Sequence, residues 1–163
     1  MPAWIGSFNN SGSPILKIRL YGISEKVNQE FDAIIDTGFS GFISMPAVQA
    51  FPLGFILTGT TTTILADGSP SPKLTALGTA IVDGEKQAGT ILLNLGTSDV
   101  LLGIEFIRSF KKTLFLYGKI VVLFDDADVT EALRRMMELA QKAAAAAATA
   151  ATHIELGGAP SET

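Results

Sequence analysis

The strongest constraint on the fold is a series of short strand-like segments, separated by turns, that runs from residue 15 to residue 124. The first segment, ILKIRLYG, alternates apolar and basic residues, which is the two-residue period of a half-buried strand. Asp-Gly pairs at 67–68 and 83–84 are strong turn signals between later segments. Because no long helical pattern separates the segments, the sequence predicts an all-β barrel or sandwich of about six or seven strands.

The residue pattern changes at residue 125, where the stretch DDADVTEALRRMMELAQKAAAAAATAA begins. Asp residues suit a helix N-terminus, Ala is the best helix former, and the apolar residues fall at helical spacing. These apolar residues are Val129, Leu133, Met136, Met137 and Ala140. We therefore predict a β domain over 1–124, a C-terminal Ala-rich helix over 125–152 and a disordered tail over 153–163.

The composition excludes several kinds of catalytic site. The chain of 163 residues has no Cys and one His, so it offers no thiolate nucleophile. Cys-based metal sites, zinc motifs and Ser-His-Asp triads are not expected for the same reason. His153 is interpreted as a solvated residue of the tail. Carboxylates must therefore carry any acid–base chemistry near neutral pH, and we expect no metal and no cofactor.

Charge and hydropathy limit the partners and the location. The net charge of -4 gives no indication of a nucleic-acid partner. The first residues, MPAWIGSFNNSG, lack the basic and apolar regions of a targeting signal. The Ala-rich stretch at 143–151 is too short and too weakly hydrophobic to span a bilayer. We expect a cytoplasmic protein without a membrane partner.

The stretch AIIDTGFSGF at 33–42 runs from apolar residues into Asp36 and then turns through Thr37 and Gly38. One interpretation is a turn-forming Asp, stabilised by nearby backbone N–H groups. A second is the phosphate-binding turn of actin-like and sugar-kinase ATPases. That turn requires Ser or Thr where Phe39 stands, and those folds need about twice this length. A third interpretation combines the stretch with motifs further along the chain.

The order of these motifs resembles that of the retropepsin-like aspartic proteases, and most of all their bacterial single-domain type. After the Asp-Thr-Gly stretch, VLLGIEFI at 100–107 supplies the second hallmark, an apolar pair followed by Gly103 and a short helix. Between the two lies ILADGS at 64–69, where the family carries its flap hairpin. The resemblance covers about residues 15–124 and implies a closed acid-protease barrel with one short helix after the Leu-Leu-Gly motif.

The resemblance implies a role for the residues in and near these motifs. Peptide hydrolysis in this family uses two carboxylates, one ionised and one protonated. The ionised carboxylate takes a proton from water, and its partner polarises the scissile carbonyl. By this resemblance, Asp36 is the catalytic carboxylate, and Thr37, Gly38 and Ser40 support its loop. The flap that contacts substrate contains Ala66, Asp67 and Gly68. Leu102 and Gly103 form a structural motif beside the site.

Phe39 departs from the pepsin-like pattern, in which a hydroxyl three residues after the Asp can bond to the carboxylate. Either Ser40 supplies that hydroxyl, or the carboxylate lacks the bond and the catalytic pair titrates at higher pH. The resemblance leaves both alternatives open.

The chain has one Asp-Thr-Gly loop, whereas the mechanism needs two carboxylates. Asp67 and Asp83 also precede Gly, but neither is followed by the loop that the family requires, and hairpin turns explain both. Two copies must then supply the pair, with Asp36 facing its own counterpart across a two-fold axis. We predict a homodimeric aspartic endopeptidase that cleaves peptide or protein substrates. The alternative is a catalytically silent module of the same fold that serves dimerisation or peptide binding.

Overall fold

The computed structural model describes residues 3–64, 68–96 and 99–156, with side chains up to residue 145. Its strands are β1 (Trp4–Phe8), β2 (Pro14–Tyr21), β3 (Asn28–Ile35), β4 (Ile43–Pro46), β5 (Ile56–Ile64), β6 (Pro70–Val82), β7 (Glu85–Asn94), β8 (Leu101–Leu102), β9 (Lys112–Tyr117) and β10 (Ile120–Asp125). Its helices are α1 (Ala47–Ala50), α2 (Ile104–Ser109) and α3 (Asp126–Leu156), and a 3-10 turn covers Phe51–Leu53.

Six of the strands close into a barrel. The hydrogen-bonded order is β5-β6-β7-β4-β8-β3-β2-β1-β10-β9, and β6 also pairs with β2. The ring therefore runs β6-β7-β4-β8-β3-β2 and returns to β6. Strand β5 lies outside the ring and pairs with β6. Strands β1, β10 and β9 continue the sheet from β2. The all-β barrel predicted from the sequence is confirmed.

The long strand β6 makes the closure possible. Its first part, Pro70–Leu77, pairs with β5, and residues Leu74–Val82 pair with β7. Near its end, Thr79–Ile81 pair with β2 on the other side of the ring. One strand therefore belongs both to the barrel and to the β5–β6 hairpin.

The described structure has more helices and strands than the sequence predicted, because some of them have little recognisable pattern in their residues. β1 lies before the predicted β region. The run in DVLLGIEFIRSF that could form a strand ending at Gly103 is the two-residue strand β8. The short helix α1 was not predicted; Pro46 stands at its N-cap, and Pro52 lies in the first turn of the 3-10 segment that follows. The short helix predicted after the Leu-Leu-Gly motif is confirmed as α2.

The two-residue period of β2 places its apolar side chains inside the barrel. Leu16, Ile18 and Leu20 are buried, whereas Lys17 and Arg19 between them are exposed. Burying an aliphatic side chain of this size contributes about 1.5–3 kcal/mol to the free energy of unfolding. The strand predicted from ILKIRLYG is confirmed.

Four buried aromatic rings connect the barrel to α2. Trp4 meets Phe110 edge-on with ring centroids 4.9 Å apart, and Phe106 lies 4.8 Å from Phe110. Phe42, directly before β4, lies 5.3 Å from Phe106. Such pairs add about 0.5–1.5 kcal/mol each beyond their buried area, so the cluster fixes α2 against the barrel.

The side chain of Lys112 is fully buried beside this cluster. Its Nζ atom lies 2.6 Å from Glu85 Oε1, 2.5 Å from Asp125 Oδ1 and 4.4 Å from the centroid of the Trp4 ring. Burial alone would lower the pKa of Lys112, but the hydrogen bonds to Asp125 and Glu85 outweigh it and raise the pKa above its ordinary value of 10.5. The ammonium group therefore stays charged and joins the ends of β7, β9 and β10.

The chain divides into two compact units between Asp125 and Asp126, and the second unit is built on α3. The predicted Ala-rich helix is confirmed, but it continues to Leu156 because no Gly or Pro interrupts the sequence before that point. Residues 153–156, predicted to lie in a disordered tail, are therefore helical, and the rest of that tail, 157–163, lies outside the described residues. The division into three parts stays a prediction.

The described side chains of α3 separate into a charged set and an apolar set. Arg134 and Arg135 each form an intrahelical ion pair with Glu131 at 2.8 Å. Of the apolar residues predicted at helical spacing, Val129 is half-buried and the other four are exposed, with Leu133 exposed by 55 % and Met136 by 66 %. Within the described residues, no helix has both the length and the apolar character needed to cross a membrane.

Replacing Lys112 with Met should lower the free energy of unfolding by about 2 kcal/mol. Glu85 and Asp125 lose their shared cation, but both stay partly in water, so the cost should fall below the roughly 3–5 kcal/mol of a fully buried pair. Urea unfolding measures the change. The matched control is Lys86→Met, which breaks an exposed pair with Glu25 and should change stability little. Equal losses in both variants would contradict the role of Lys112.

Candidate active site

Asp36 follows directly after the last residue of β3 and is anchored to the neighbouring strand. β3 and β8 run parallel with Ile35 beside Leu102, and the Asp36 N–H donates to the Leu102 carbonyl at 2.9 Å. The Asp36 residue is half-buried. A strand of the closed barrel therefore fixes the backbone of the candidate catalytic residue.

The loop after Asp36 folds back onto its carboxylate. The Gly38 N–H donates to Asp36 Oδ1 at 2.9 Å, and the Phe39 N–H donates to the Asp36 carbonyl at 3.1 Å. A Cβ atom at position 38 would lie 3.2 Å from Oδ1, which is a tight contact. This turn orients the carboxylate, and an Asp with a purely structural role would make the same bonds.

Thr37 and Ser40 were predicted to support the loop, and both are exposed. In the described part of the chain, neither hydroxyl bonds to Asp36, whose carboxylate accepts the Gly38 N–H. Ser40 contributes through its backbone, because its carbonyl accepts the Glu105 N–H at 3.3 Å. Within one chain, Ser40 therefore does not replace the hydroxyl that is missing at position 39.

The helix α2 begins directly against the Asp36 loop. The Gly103 N–H donates to the Phe42 carbonyl at 3.1 Å, so the loop supplies a hydrogen-bond acceptor for a backbone N–H at the start of the helix. A Cβ atom at position 103 would lie 2.1 Å from the Gly41 carbonyl oxygen, which leaves room for Gly alone. Leu102 and Gly103, predicted as a motif beside the site, lie in contact with the Asp36 loop.

A cavity of about 710 Å³ opens beside the loop. Its size lies within the usual range for ligand-binding pockets. Asp36 is not among its lining residues, but the residues that follow it are. The lining includes Gly38 and Ser40 from the loop, Thr58 and Thr60–Ile64 from β5, Thr75 from β6, Thr90 from β7 and Glu105 from α2.

The hairpin predicted as a flap is formed by β5 and β6, and its last described pair joins Ile64 to Pro70. Ala66 and Asp67, two of the predicted flap residues, lie outside the described residues. Gly68 adopts a φ of +82°, a left-handed value that favours Gly. The β5 strand forms one wall of the cavity, but its movement over a substrate stays a prediction.

Glu105 is the one ionisable side chain among the described residues that line the cavity. It is exposed, and in the described structure it forms no ion pair. The described residues contain no group of three His, Asp or Glu side chains placed to hold a metal ion.

The sequence did not predict that Glu105 and the Thr residues of β5 line a cavity beside the Asp36 loop. Consecutive Thr residues, as in TGTTTTI, favour a strand but do not indicate which face meets a cavity. The Thr run alone therefore does not identify the wall of the cavity. Glu105 carries no local signal either, because its position beside the loop depends on the bond to the Ser40 carbonyl.

Comparisons with known proteins support the fold. Neither a family model nor a curated protein sequence matches the chain. The structure is similar to the crystal structure of a retropepsin-like aspartic protease from Rickettsia conorii, with a TM-score of 0.56 and 22 % sequence identity. The match covers 75 % of this chain and 89 % of that chain. The chain therefore has a retropepsin-like fold, as its motifs predicted.

Replacing Gly103 with Ala should lower the free energy of unfolding by about 3 kcal/mol, the upper end of overpacking costs. The new Cβ would also lie 2.6 Å from the Phe39 carbonyl oxygen, so the loop backbone must shift. The control is Gly96→Ala, where a Cβ atom meets nothing within 4 Å. Urea unfolding and the amide chemical shifts of the Asp36 loop measure the effect. Indistinguishable unfolding curves for the two variants would contradict the close contact.

Proposed function

We propose that the chain is an aspartic endopeptidase in which two copies each supply Asp36 to one shared active site. The observation that carries the proposal is the Asp36 turn, bonded to Leu102 and beside a cavity, on a retropepsin-like fold. An Asp that only formed a turn would not need a cavity lined by the residues that follow it. We therefore assign the Asp36 carboxylate a catalytic role.

The proposed reaction is hydrolysis of a peptide bond by water. Two carboxylates about 3 Å apart cannot both be ionised, so the pair shares one proton. The ionised Asp36 removes a proton from a bound water molecule, which attacks the scissile carbonyl carbon. The protonated Asp36 of the second copy donates its proton to the carbonyl oxygen, which gives a gem-diol. The first Asp36 then passes the proton it took from water to the departing amine, and the second Asp36 takes back a hydroxyl proton as the C–N bond breaks. The reaction requires no metal or cofactor.

The second copy is required because the sequence has one Asp-Thr-Gly loop. A two-fold axis beside the loop would bring the two Asp36 side chains together. Thr37 and Gly38 are exposed in the single chain, so they are open to contact from a second copy. We assign Thr37 to bonds across that axis, which would hold the two loops in register.

The β5–β6 hairpin is proposed to close over the substrate. Among the described strands, β5 lies at one edge of the sheet, so the backbone groups on its outer side can pair with an extended peptide. The connection between the strands contains Ala66, Asp67 and Gly68, which we assign to substrate contact. Closure of such a hairpin excludes water and positions the peptide against the carboxylates.

The alternative function, a catalytically silent module for dimerisation or peptide binding, uses the same cleft. Such a module has no need of the Asp-Thr-Gly carboxylate. The intact Asp36 turn therefore favours the enzyme.

Asp36→Asn should reduce peptide cleavage by at least about a thousandfold, because Asn cannot accept the proton from water. Cleavage of a mixed peptide library, with and without a statine-type inhibitor, measures the loss. The control is Asp32→Asn, which changes an exposed carboxylate on β3, the strand that leads to Asp36, and should keep its activity. Undiminished cleavage by Asp36→Asn would show that another group performs the chemistry.

Mixing experiments test the shared site. When equal amounts of unchanged protein and Asp36→Asn protein exchange subunits freely, about a quarter of the dimers carry two Asp36 carboxylates. The mixture should therefore have about a quarter of the activity shown by the same total amount of unchanged protein. Mixing with the active Asp32→Asn variant should cause no such loss. Retention of half the activity would mean that each chain works alone.

A further inference from the structure

The cavity beside the Asp36 loop has a distinctive lining of hydroxyls and one carboxylate. Thr residues from β5, β6 and β7 supply the hydroxyls, and Glu105 supplies the charge. Among the described residues that line it, none is Lys or Arg. The catalytic pair proposed above adds a further negative charge close by. The electrostatic potential of this cleft therefore favours a cation.

Glu105 lies at a fixed place in this lining. Its backbone N–H donates to the Ser40 carbonyl at 3.3 Å, which ties it to the Asp36 loop. Arg108, about one turn later on α2, lines a neighbouring cavity with Glu105, but the two form no ion pair in the described structure. By contrast, the barrel carboxylate of Glu30 is already paired with Lys17 at 2.9 Å. Glu105 remains available to a ligand.

We propose that this cavity binds the side chain of a Lys or Arg residue in the substrate, with Glu105 as the residue that selects it. The inference rests on the proposed peptidase function and names its substrate class. Thr hydroxyls accept hydrogen bonds from an ammonium or guanidinium group. Phe39, which also lines the cavity, offers an apolar surface for the methylene stem of either side chain.

The two-fold symmetry of the proposed dimer adds a second, equivalent subsite. Each copy brings its own cavity and its own Glu105, so the shared cleft has two equivalent cation-binding subsites. A peptide that crosses the axis meets one subsite on each side of the scissile bond. The enzyme should therefore prefer a basic residue at two positions, placed symmetrically about the bond that is cut.

A matched peptide series tests this selection. At each position the series carries Lys, its uncharged analogue norleucine, or Glu, and kcat/KM is measured for every peptide. We expect Lys to exceed norleucine by about tenfold at two symmetric positions, equivalent to about 1.4 kcal/mol. Glu105→Gln should bring that ratio close to one, and Glu105→Lys should reverse the preference toward Glu. The ratio compares two peptides on one preparation, so a partly folded variant does not distort it.

The control variant is Glu30→Gln, which removes the same charge from β3 outside the cavity lining and should leave the ratio unchanged. A second measurement is salt dependence: the Lys preference should weaken as ionic strength rises, since exposed charges are screened. A ratio that is the same in Glu105→Gln as in the unchanged protein would overturn the inference while leaving the peptidase intact.

Failure of the peptidase itself would give a different result. If no peptide of the series is cut, the proposed function fails, and binding then tests the subsite alone. Fluorescence anisotropy of labelled Lys and norleucine peptides with the unchanged protein and with Glu105→Gln measures it. Tighter binding of the Lys peptide that is lost in Glu105→Gln supports the cation subsite without catalysis, and equal binding of both peptides overturns it.

Discussion

The site depends on the parallel pairing of β3 with the two-residue strand β8. That pairing sets Asp36 beside Leu102 through a backbone bond of 2.9 Å, and it places the start of α2 directly against the loop after Asp36. The Ile104 N–H then donates to the Phe39 carbonyl at 2.9 Å. Because the ring of Phe106 lies in the aromatic core, α2 cannot shift without repacking the barrel. The orientation of one carboxylate is thus tied to the stability of the whole domain.

Features with local causes could be predicted from the sequence. The alternating residues of ILKIRLYG predicted the β2 strand. The pair Tyr117-Gly118 between two apolar runs is likewise a local signal for the β9–β10 hairpin, and Gly118 has a φ of +58°. The Asp36 turn was also visible, since an apolar run, an Asp and a Gly stand next to each other. Each of these signals lies within about ten residues, which is the range over which propensity and turn chemistry act.

Features with long-range causes could not be predicted. The partners of β8 are one example: Leu102 lies between Ile35 of β3 and Ile43 of β4, and both come from much earlier in the chain. Lys112 is buried because Glu85 and Asp125 meet it from two other strands, and a Lys in a strand pattern gives no sign of that. The Thr wall of the cavity likewise depends on how β5 pairs with β6. Such contacts follow from the closed barrel and have no local signature.

The central claim is that two chains build one catalytic site. Isothermal titration with a statine-type peptide inhibitor, whose hydroxyl takes the place of the attacking water between two carboxylates, tests this directly. One inhibitor molecule bound for every two chains is the predicted stoichiometry, together with a dimeric mass for the complex by sedimentation. One inhibitor bound for each chain, or cleavage by a protein that stays monomeric, would contradict the account.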